Sequence, residues 1–590
     1  MGRKEGYVVT DSGNQLDPIQ FEVLRNALLE VTEEMSATLR RSAYSTNIKT
    51  RADFSCAFYD SQLQVVAQSF AQATHLGSAV EVVPNAIQEY GVDNLNPGDI
   101  LVLNHPYIGG GHLNDFTLIS PVVYTDKIVG YVANIAHHVD VGGGAPASLG
   151  AFTEVFQEGV IIPPVKLVAN GELVTDIFKL ILEQVRAKRE VAGDTRAQIA
   201  ANRAGINRLT SLFDHFGLDT VESGIKQLLA YTEQRTKVEL DKLVRGVFTS
   251  EGWVDTDGIT DEPVHLVVSV VIDDDGVLFD LSGCDPQRKA PVNATFAMTF
   301  ATCAYVLKSL TDPDVPVNDG FYRSVRINAP LGTVVNCVHP YPVVGGWETQ
   351  MRLTDIILKA LAVALPEKVP AGTEGMICHA GFGGEDPRTG EFYCFMETLA
   401  GGYGGRAHSD GPDAVQCHGK NTENAPIEET ETSYPVRIAR YELIENSEGP
   451  GRFRGGLGLR RDYLFVDHEV SFTVLADRDR WGPHGLFGGL PAPKASYVLV
   501  SDGHYEELNA KATTKLKVGD LVSYRTCGGG GYGSPLEREP SRVLTDVRES
   551  RVSLERARDV YGVVVDVERW AVNEKETATL RAESGLLPPP

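Results

Sequence analysis

The sequence lacks any apolar run long enough to cross a membrane and any apolar segment after its basic N-terminal residues, MGRKEGYVVTDSGNQ. A spanning helix needs about 20 apolar residues, so we expect neither a membrane span nor a signal peptide. The eight cysteines include no C-x-x-C pair. In a chain of this size they are best interpreted as reduced, mostly buried thiols, and we expect a cytoplasmic protein.

Positive charge is also scarce, because 54 Lys and Arg face 79 Asp and Glu and give a net charge of -25. Such a field repels phosphate, so we expect binding neither to nucleic acid nor to an anionic membrane. No G-x-x-x-x-G-K-[ST] loop is present, and although Gly528, Gly530 and Gly533 match G-x-G-x-x-G, Pro535 and Pro540 interrupt the helix that should follow. This favours a tight structural loop and predicts no nucleotide site in this chain.

The 590 residues predict several domains, since a single hydrophobic core stops growing well below this length. Strand and helix patterns are mixed without regular alternation, which predicts a multidomain α+β fold. We expect an N-terminal α/β domain with the metal site over 1–250 and a middle α+β domain over 251–400. The remaining residues, 401–590, predict a β-rich C-terminal domain that ends in helices.

Two His/Asp groups beside glycine runs are the strongest candidates for chemistry. His112 and Asp115 are three residues apart, while His137 ends a separate predicted strand, and His138 and Asp140 follow it. Two imidazoles and a carboxylate with open positions suit a catalytic Zn, Mn or Fe ion. The alternative is that they are hydrogen-bonded polar residues at strand ends, and the spacing alone leaves both open.

Other candidates carry weaker signals. Asp53, at a predicted strand start, is either a fourth ligand or an ordinary turn residue, and the pattern favours the turn. His75 and His105 are expected to be hydrogen-bonded histidines rather than ligands. Cys417 and His418 could suggest a thiol nucleophile with a base, but adjacent residues on an extended chain point to opposite faces.

Several long motifs resemble the hydantoinase B/oxoprolinase family. They are RRSAYSTNIKTRADFSCAFYD, NHPYIGGGHLNDFTLISPV, ANIAHHVDVGG, FQEGVIIPPVKL, ARYELIENSEGPGRFRGGLGLRRDY and GGGGYGSPLEREPSRVLTDV, and the resemblance runs from about residue 17 to 565. The family includes B subunits of ATP-dependent hydantoinases and lactamases, the C-terminal half of 5-oxoprolinase, and subunits of acetone and acetophenone carboxylases.

The resemblance implies a divalent metal, Zn or Mn, held by His112, Asp115 and His137, with Asp53 matching a further acidic ligand. His138 and Asp140 are then candidates for proton transfer or for orienting the ligands, and structural support is the alternative for both. It also implies a hydantoinase A-type ATPase partner in a hetero-oligomer such as a heterotetramer. That partner would use ATP to phosphorylate the substrate oxygen.

The function implied is that of the B subunit of an ATP-dependent cyclic amide hydrolase, acting on a hydantoin, lactam or 5-oxoproline ring. It would supply a metal-activated water to the O-phosphorylated intermediate. A subunit of a ketone carboxylase is the first alternative, and the compact chain favours hydrolysis only modestly. A non-catalytic metal-binding scaffold is the second alternative.

Overall fold

The computed structural model describes residues 16–69 and 72–584. The fold is α+β and multidomain, with five sheets and a helical C-terminal end among these residues, which confirms the predicted class. Residues 1–15, on which the expectation about a signal peptide rests, lie outside the described residues. Within the described ranges no helix combines the length and apolarity needed to cross a bilayer, and none of the eight cysteines is in a disulfide.

The N-terminal region is built on a seven-stranded sheet with the order β2-β1-β5-β4-β3-β6-β7. Its strands are β1 Phe54–Asp60, β2 Val65–Gln68, β3 Ile100–Leu103, β4 Asp115–Tyr124, β5 Lys127–His137, β6 Val165–Ala169 and β7 Glu172–Leu173. Its helices are α1 Pro18–Ser42, α2 Thr46–Lys49, α3 Ala73–Tyr90, α4 Thr175–Leu182, α5 Lys188–Phe216 and α6 Leu218–Leu240. All neighbouring strands of this sheet run antiparallel.

Both faces of this sheet are covered, and side chains alternate between the two faces along each strand. In β5, Val132 and Ala136 pack with α1, α5 and α6 in one apolar cluster. The intervening Tyr131, Ala133 and Ile135 pack with α3 and with the middle of the chain in another. From Tyr131 onward, residues of odd number on β5 therefore face α3, and this holds for His137, which ends the strand.

The middle region contributes a four-stranded sheet with the order β11-β10-β9-β8. Its strands are β8 Gly246–Val254, β9 Val264–Asp273, β10 Gly276–Asp280 and β11 Val325–Asn328, and its helices are α7 Phe296–Leu310, α8 Asp319–Tyr322 and α9 Gly346–Leu361. One apolar cluster joins this sheet and its helices to the α3 face of the first sheet. The predicted division at 250 falls inside β8, and the two regions share a core.

The C-terminal region holds a four-stranded sheet, β13-β12-β16-β19, and a five-stranded sheet, β14-β15-β20-β17-β18, packed over one apolar core. The strands are β12 His379–Glu385, β13 Phe392–Thr398, β14 Arg437–Leu443, β15 Leu459–Leu464, β16 Val470–Leu475, β17 Ser496–Ser501, β18 His504–Glu507, β19 Lys511–Leu516 and β20 Leu521–Arg525, with α10 at Ile427–Ser433. The predicted division at 400 separates β12 and β13 from the strands that complete their sheet.

The chain ends in short helices around a two-stranded sheet. These elements are α11 Pro540–Arg548, α12 Leu554–Asp559, β21 Val565–Asp566, β22 Ala571–Val572 and α13 Glu574–Ser584. A small apolar cluster that includes Val543, Ala557 and Tyr561 holds them together. The helical tail predicted for the C-terminus is therefore present.

Candidate metal centre

Three of the predicted site residues meet at one end of the first sheet because of strand register. Asp115 begins β4 directly opposite His137 at the end of β5. On the other side of β5, the His137 backbone N–H donates to the Asp53 carbonyl oxygen at 3.0 Å, just before β1 begins. Paired residues on one face of a sheet project their side chains side by side. The sheet therefore gathers three sequence-distant polar residues on the face that looks toward α3.

His112 reaches the same point from the loop before β4. The Asp115 backbone N–H donates to the His112 carbonyl oxygen at 3.1 Å, which closes a tight turn. Gly111 has no room for a side chain, since a Cβ there would lie 2.8 Å from Asp115 Oδ2 and 3.4 Å from the Trp347 ring. The glycine thus allows the loop to press His112 against Asp115.

The donor atoms of His112, Asp115 and His137 are close enough to share one ion. One such atom from each residue lies within 4.8 Å of the other two, and all three side chains are buried. His112 Nδ1 is 3.3 Å from Asp115 Oδ2, and His137 Nδ1 is 3.4 Å from Asp115 Oδ1. Two ligands at about 2.1 Å from one ion in tetrahedral geometry are themselves about 3.4 Å apart.

These contacts do not satisfy the buried polar atoms as hydrogen bonds. Asp115 Oδ1, His112 Nδ1 and His137 Nε2 are each buried without a hydrogen-bond partner. Leaving such an atom unpaired costs about 1 to 3 kcal/mol. These buried carboxylate and imidazole atoms belong to residues that could share one ion, and they are of the types that bind Zn or Mn.

The electrostatics of the cluster favour the protonation states that bind cations. Burial lowers the pKa of His112 to about 4, and the neighbouring histidines act in the same direction while Asp115 opposes them. For Asp115, burial alone would raise the pKa, but His112, His75 and His137 outweigh it and hold the pKa well below the ordinary value. At neutral pH the site therefore presents a neutral imidazole beside an ionised carboxylate.

His75 and Asp53 stand beside this group. His75, on α3, places Nε2 3.4 Å from Asp115 Oδ1 and 3.8 Å from Asp53 Oδ1. Asp53 Oδ1 also accepts a hydrogen bond from Gln72 at 3.2 Å. Asp53 therefore lies at the edge of the cluster rather than within the set of closest donor atoms, and its role as a ligand stays a prediction. His75 was expected to be a histidine beside the site rather than a ligand, and it lies beside the three converging residues.

His138 directly follows β5 and faces the opposite side of the sheet from His137. Its Nε2 lies 2.9 Å from Gln198 Oε1 on α5, and its ring packs on Phe116 with ring centroids 4.3 Å apart. Its backbone N–H donates to Asn114 at 2.9 Å. These contacts are those of a structural residue between the sheet and α5, and they give no support to proton transfer.

Asp140 has structural partners as well. Its carboxylate accepts from the Arg186 side chain at 3.0 Å and from the Arg186 backbone N–H at 2.8 Å, and the Asp140 side chain is fully buried. Arg186 also donates to the Gly143 carbonyl oxygen at 2.6 Å. Asp140 thus anchors the glycine-rich loop after β5 to the start of α5, and it supports the metal cluster only indirectly.

The cluster opens on a small cavity of about 30 Å³, and residues from other regions of the chain form much of its wall. Sequence reasoning missed these residues. They are Gln72, Thr74, Trp347, Ile377, His379, Thr398, Lys420 and Thr422. The Lys420 ammonium is buried, where it donates to Glu374 at 2.5 Å and to the Leu399 carbonyl oxygen at 2.9 Å. Their sequence positions, far from the His/Asp motifs, gave no signal of this convergence.

The Cys417–His418 pair and the glycine-rich loop near Gly530 make contacts that are structural. Cys417 Sγ lies 3.7 Å from Glu374 Oε1, whereas His418 Nε2 lies 2.9 Å from both Asp355 and Thr373. The two residues therefore contact different partners, and they lie in a turn rather than on an extended strand, with a φ of +52° at His418. In the glycine-rich loop, a Cβ at Gly530 would lie 1.9 Å from the His484 carbonyl oxygen, so the glycines there serve close backbone packing.

Asp255, Asp477 and Asp479 form a second group of converging carboxylates among the described residues. Arg352 donates to Asp255 at 2.7 Å and to Asp477 at 2.5 Å, and Lys511 Nζ lies 3.5 Å from Asp477. These cations already supply the counter-charge. We interpret the group as a buried ion-pair network rather than a second metal site.

Comparison with known proteins gives one consistent family. The sequence pattern of the hydantoinase B/oxoprolinase family matches residues 17–535. A protein from a Pseudomonas strain, named as the putative B subunit of a D-/L-hydantoinase, is 33% identical, over 93% of this chain and 96% of that protein.

Two solved structures have a fold similar to that of this chain. The crystal structure of an ATP-dependent caprolactamase from Pseudomonas jessenii matches with a TM-score of 0.90 and 28% identity, over 96% of this chain and 100% of that chain. A nucleotide-free acetone carboxylase structure also has a TM-score of 0.90, at 20% identity, over 97% of this chain and 84% of that chain. The second likeness concerns the fold alone.

Proposed function

Because the chain belongs to the hydantoinase B/oxoprolinase family, we propose that it is the B-type component of an ATP-dependent enzyme that opens a cyclic amide ring. The substrate class is a hydantoin, a lactam or a 5-oxoproline-like ring. The observation that carries the proposal is the convergence of His112, Asp115 and His137, with unsatisfied buried polar atoms, beside a small cavity that His112 and His137 line. The relatives named as hydantoinase and caprolactamase subunits support the choice of substrate class.

In this proposal His112, Asp115 and His137 hold one divalent metal, Zn or Mn, and Asp53 is a further acidic ligand. When bound, the metal would act as a Lewis acid that polarises a water or a substrate oxygen. Asp115 supplies the negative charge that offsets part of the ion's charge, and its carboxylate lies 3.3 to 3.4 Å from a ring nitrogen of His112, His137 and His75.

ATP is used at a separate A-type partner, and the proposal is supported by relatives whose names describe one component of a larger hydantoinase or caprolactamase. Amide resonance protects an unactivated ring from water, and phosphorylation of the amide oxygen removes that protection. The phosphorylated ring would then react beside the metal cluster. The free, buried cysteines are typical of a protein in the reducing cytoplasm, where we place the complex.

The test is reconstitution. The chain and its A-type partner are co-purified, and ATP consumption and ring opening are followed with hydantoin, caprolactam and 5-oxoproline in turn. We expect ATP-dependent turnover of at least one ring, and none when either component is omitted. Failure with every ring would overturn the proposal.

Ketone carboxylation is the second candidate, since the acetone carboxylase chain shares the fold. The same complex is therefore also assayed with a ketone, bicarbonate and ATP. Turnover in that mixture alone would replace ring opening by carboxylation. A scaffold without chemistry of its own would instead leave turnover intact in the His112→Ala variant.

A further inference from the structure

A histidine and a glutamate from two distant parts of the chain form a pair at the wall of the metal cavity. We propose that His379 is a further catalytic residue, which carries protons during ring opening, and that Glu348 positions it. This inference rests on the proposed function. Neither residue belongs to the motifs that point to the metal cluster.

The backbone of His379 is fixed from several sides. His379 begins β12, between Thr398 of β13 and Leu475 of β16. Its carbonyl oxygen accepts from Tyr524 Oη at 2.8 Å. The residue before it, Cys378, has a φ of +64°, in the left-handed region that non-glycine residues rarely adopt. Such strain persists only where the surroundings hold it, and it concentrates at functional sites.

Glu348 makes two of the contacts that hold the backbone of Cys378 and its neighbour in place. It lies in the first turn of α9 with a fully buried side chain. One carboxylate oxygen accepts from the Ile377 backbone N–H at 2.8 Å, and the other accepts from the Cys378 N–H at 2.9 Å. Because both oxygens are held by backbone amides, the carboxylate has a fixed orientation. It therefore fixes the chain immediately before His379.

The same carboxylate lies beside the imidazole. His379 Nδ1 is 3.5 Å from Glu348 Oε1, which is an ion-pair contact rather than a hydrogen bond, since Nδ1 is buried without a hydrogen-bond partner. His379 also lines the cavity together with His112 and His137. With Nδ1 directed toward Glu348, the opposite ring nitrogen, Nε2, is left for the cavity. A carboxylate that orients a histidine so that its far nitrogen can exchange protons is a recurrent arrangement in catalysis.

His379 has the properties of a proton carrier rather than of a ligand. Its nitrogen atoms are outside the group of donor atoms that converge at the cluster. An imidazole at the wall of the cavity can accept a proton at the ring nitrogen that faces the cavity.

Ring opening of an O-phosphorylated cyclic imidate needs two proton transfers. When water adds to the ring carbon, the π electron pair of the C=N bond moves to nitrogen, and His379 takes a proton from the water oxygen and gives it to that nitrogen. When the C–N bond then breaks, its electron pair stays on nitrogen and the new hydroxyl becomes a carbonyl. His379 carries the hydroxyl proton to the nitrogen, and the products are an amine and an acyl phosphate, which a second water hydrolyses.

The experiment compares His379→Gln and Glu348→Gln with wild type in the reconstituted complex, using the ring on which wild type turns over. His468→Gln serves as control, since His468 bonds Tyr393 in the same region and lies outside the lining of the cavity. We expect kcat to fall by about 100-fold or more in His379→Gln and by less in Glu348→Gln. Zinc content and ATP use at the partner should be kept in both.

The pH profile separates catalysis from structure. The acidic limb of kcat/KM should be lost in His379→Gln and shifted in Glu348→Gln, which a merely structural role would not produce. If His379→Gln does not fold, the acidic limb of kcat/KM in Glu348→Gln decides between a catalytic and a structural role. Turnover within twofold of wild type with an unchanged profile would overturn this inference alone, whereas absence of turnover in the wild-type complex would overturn the proposed function.

Discussion

Asp115 and His137 face each other across adjacent antiparallel strands, with His137 Nδ1 3.4 Å from Asp115 Oδ1. This pairing depends on an irregularity in the ladder. At the hairpin end Tyr124 pairs with Lys127, but beyond a bulge near Val122 the register moves by one residue. Without that shift Asp115 would stand opposite Ala136, and His137 would lie one step along the strand.

The first prediction concerns the metal itself. Asp115→Asn removes the charge that attracts the cation, so we expect the purified variant to retain less than about a tenth of the zinc or manganese bound by wild type. Metal content by mass spectrometry is the measurement, and Asp274→Asn, at a fully exposed site, is the control. Wild-type metal content in Asp115→Asn would argue against the ligand set.

The second prediction concerns the neighbours of the cluster. His75→Gln and Asp53→Asn should weaken metal binding by about 10- to 100-fold without changing its stoichiometry, because such groups orient ligands and add charge. Titration of the metal-free protein by calorimetry measures both quantities. Unchanged metal affinity in both variants would show that His75 and Asp53 do not contribute to metal binding.

The third prediction separates His138 and Asp140 from the chemistry. His138→Ala and Asp140→Asn remove buried hydrogen bonds to Gln198 and Arg186, so each should lower the free energy of unfolding by about 1 to 3 kcal/mol. Metal content should be unchanged. A lower midpoint of thermal unfolding with full metal content is expected, and metal loss at wild-type stability would restore a direct role at the site.

The fourth prediction concerns pH. Glu158 accepts from the Val343 and Val344 backbone N–H groups, just before α9, and burial raises its pKa from 4.5 to about 8 although these two hydrogen bonds oppose the shift. Between those two pH values the folded chain holds a proton that the unfolded chain releases, so this contribution to stability falls as pH rises from about 5 to 8 and stays constant above.

Glu158→Gln keeps an oxygen for both amides but does not titrate. We therefore expect its unfolding midpoint to depend less steeply on pH than that of wild type across this window. The exposed Glu172→Gln is the control and should follow wild type. Parallel curves for wild type and Glu158→Gln would show that Glu158 is ionised in the folded state.

The part of the site that depends on residues close together in sequence could be predicted. The spacing of His112 and Asp115, the strand that ends at His137 and the glycines around them are visible in the chain, and α1 begins after an Asp17 cap whose carboxylate accepts from the Ile19 and Gln20 N–H groups. The family motifs then distinguished a metal site from hydrogen-bonded strand ends. The mixed α+β class followed from the periodicities.

The rest of the site could not be predicted, because it depends on contacts between residues that are far apart in sequence. The bulge that sets Asp115 opposite His137 has no sequence signature, and without the register the parity that turns His138 toward α5 could not be assigned. The wall formed by Trp347, His379 and Lys420 comes from regions more than 200 residues away from His137. The predicted divisions at 250 and 400 stay predictions, and sheets and cores on either side of them are completed by residues distant in sequence.

The most direct test of a metal centre that supports ring opening is to measure turnover against metal occupancy. The metal-free chain is reconstituted with its A-type partner, and zinc or manganese is added in steps while ATP-dependent ring opening and bound metal are measured in the same samples. We predict that turnover rises in proportion to occupancy, saturates at one ion per chain, and is not restored in Asp115→Asn. Full turnover by the metal-free complex would contradict the account.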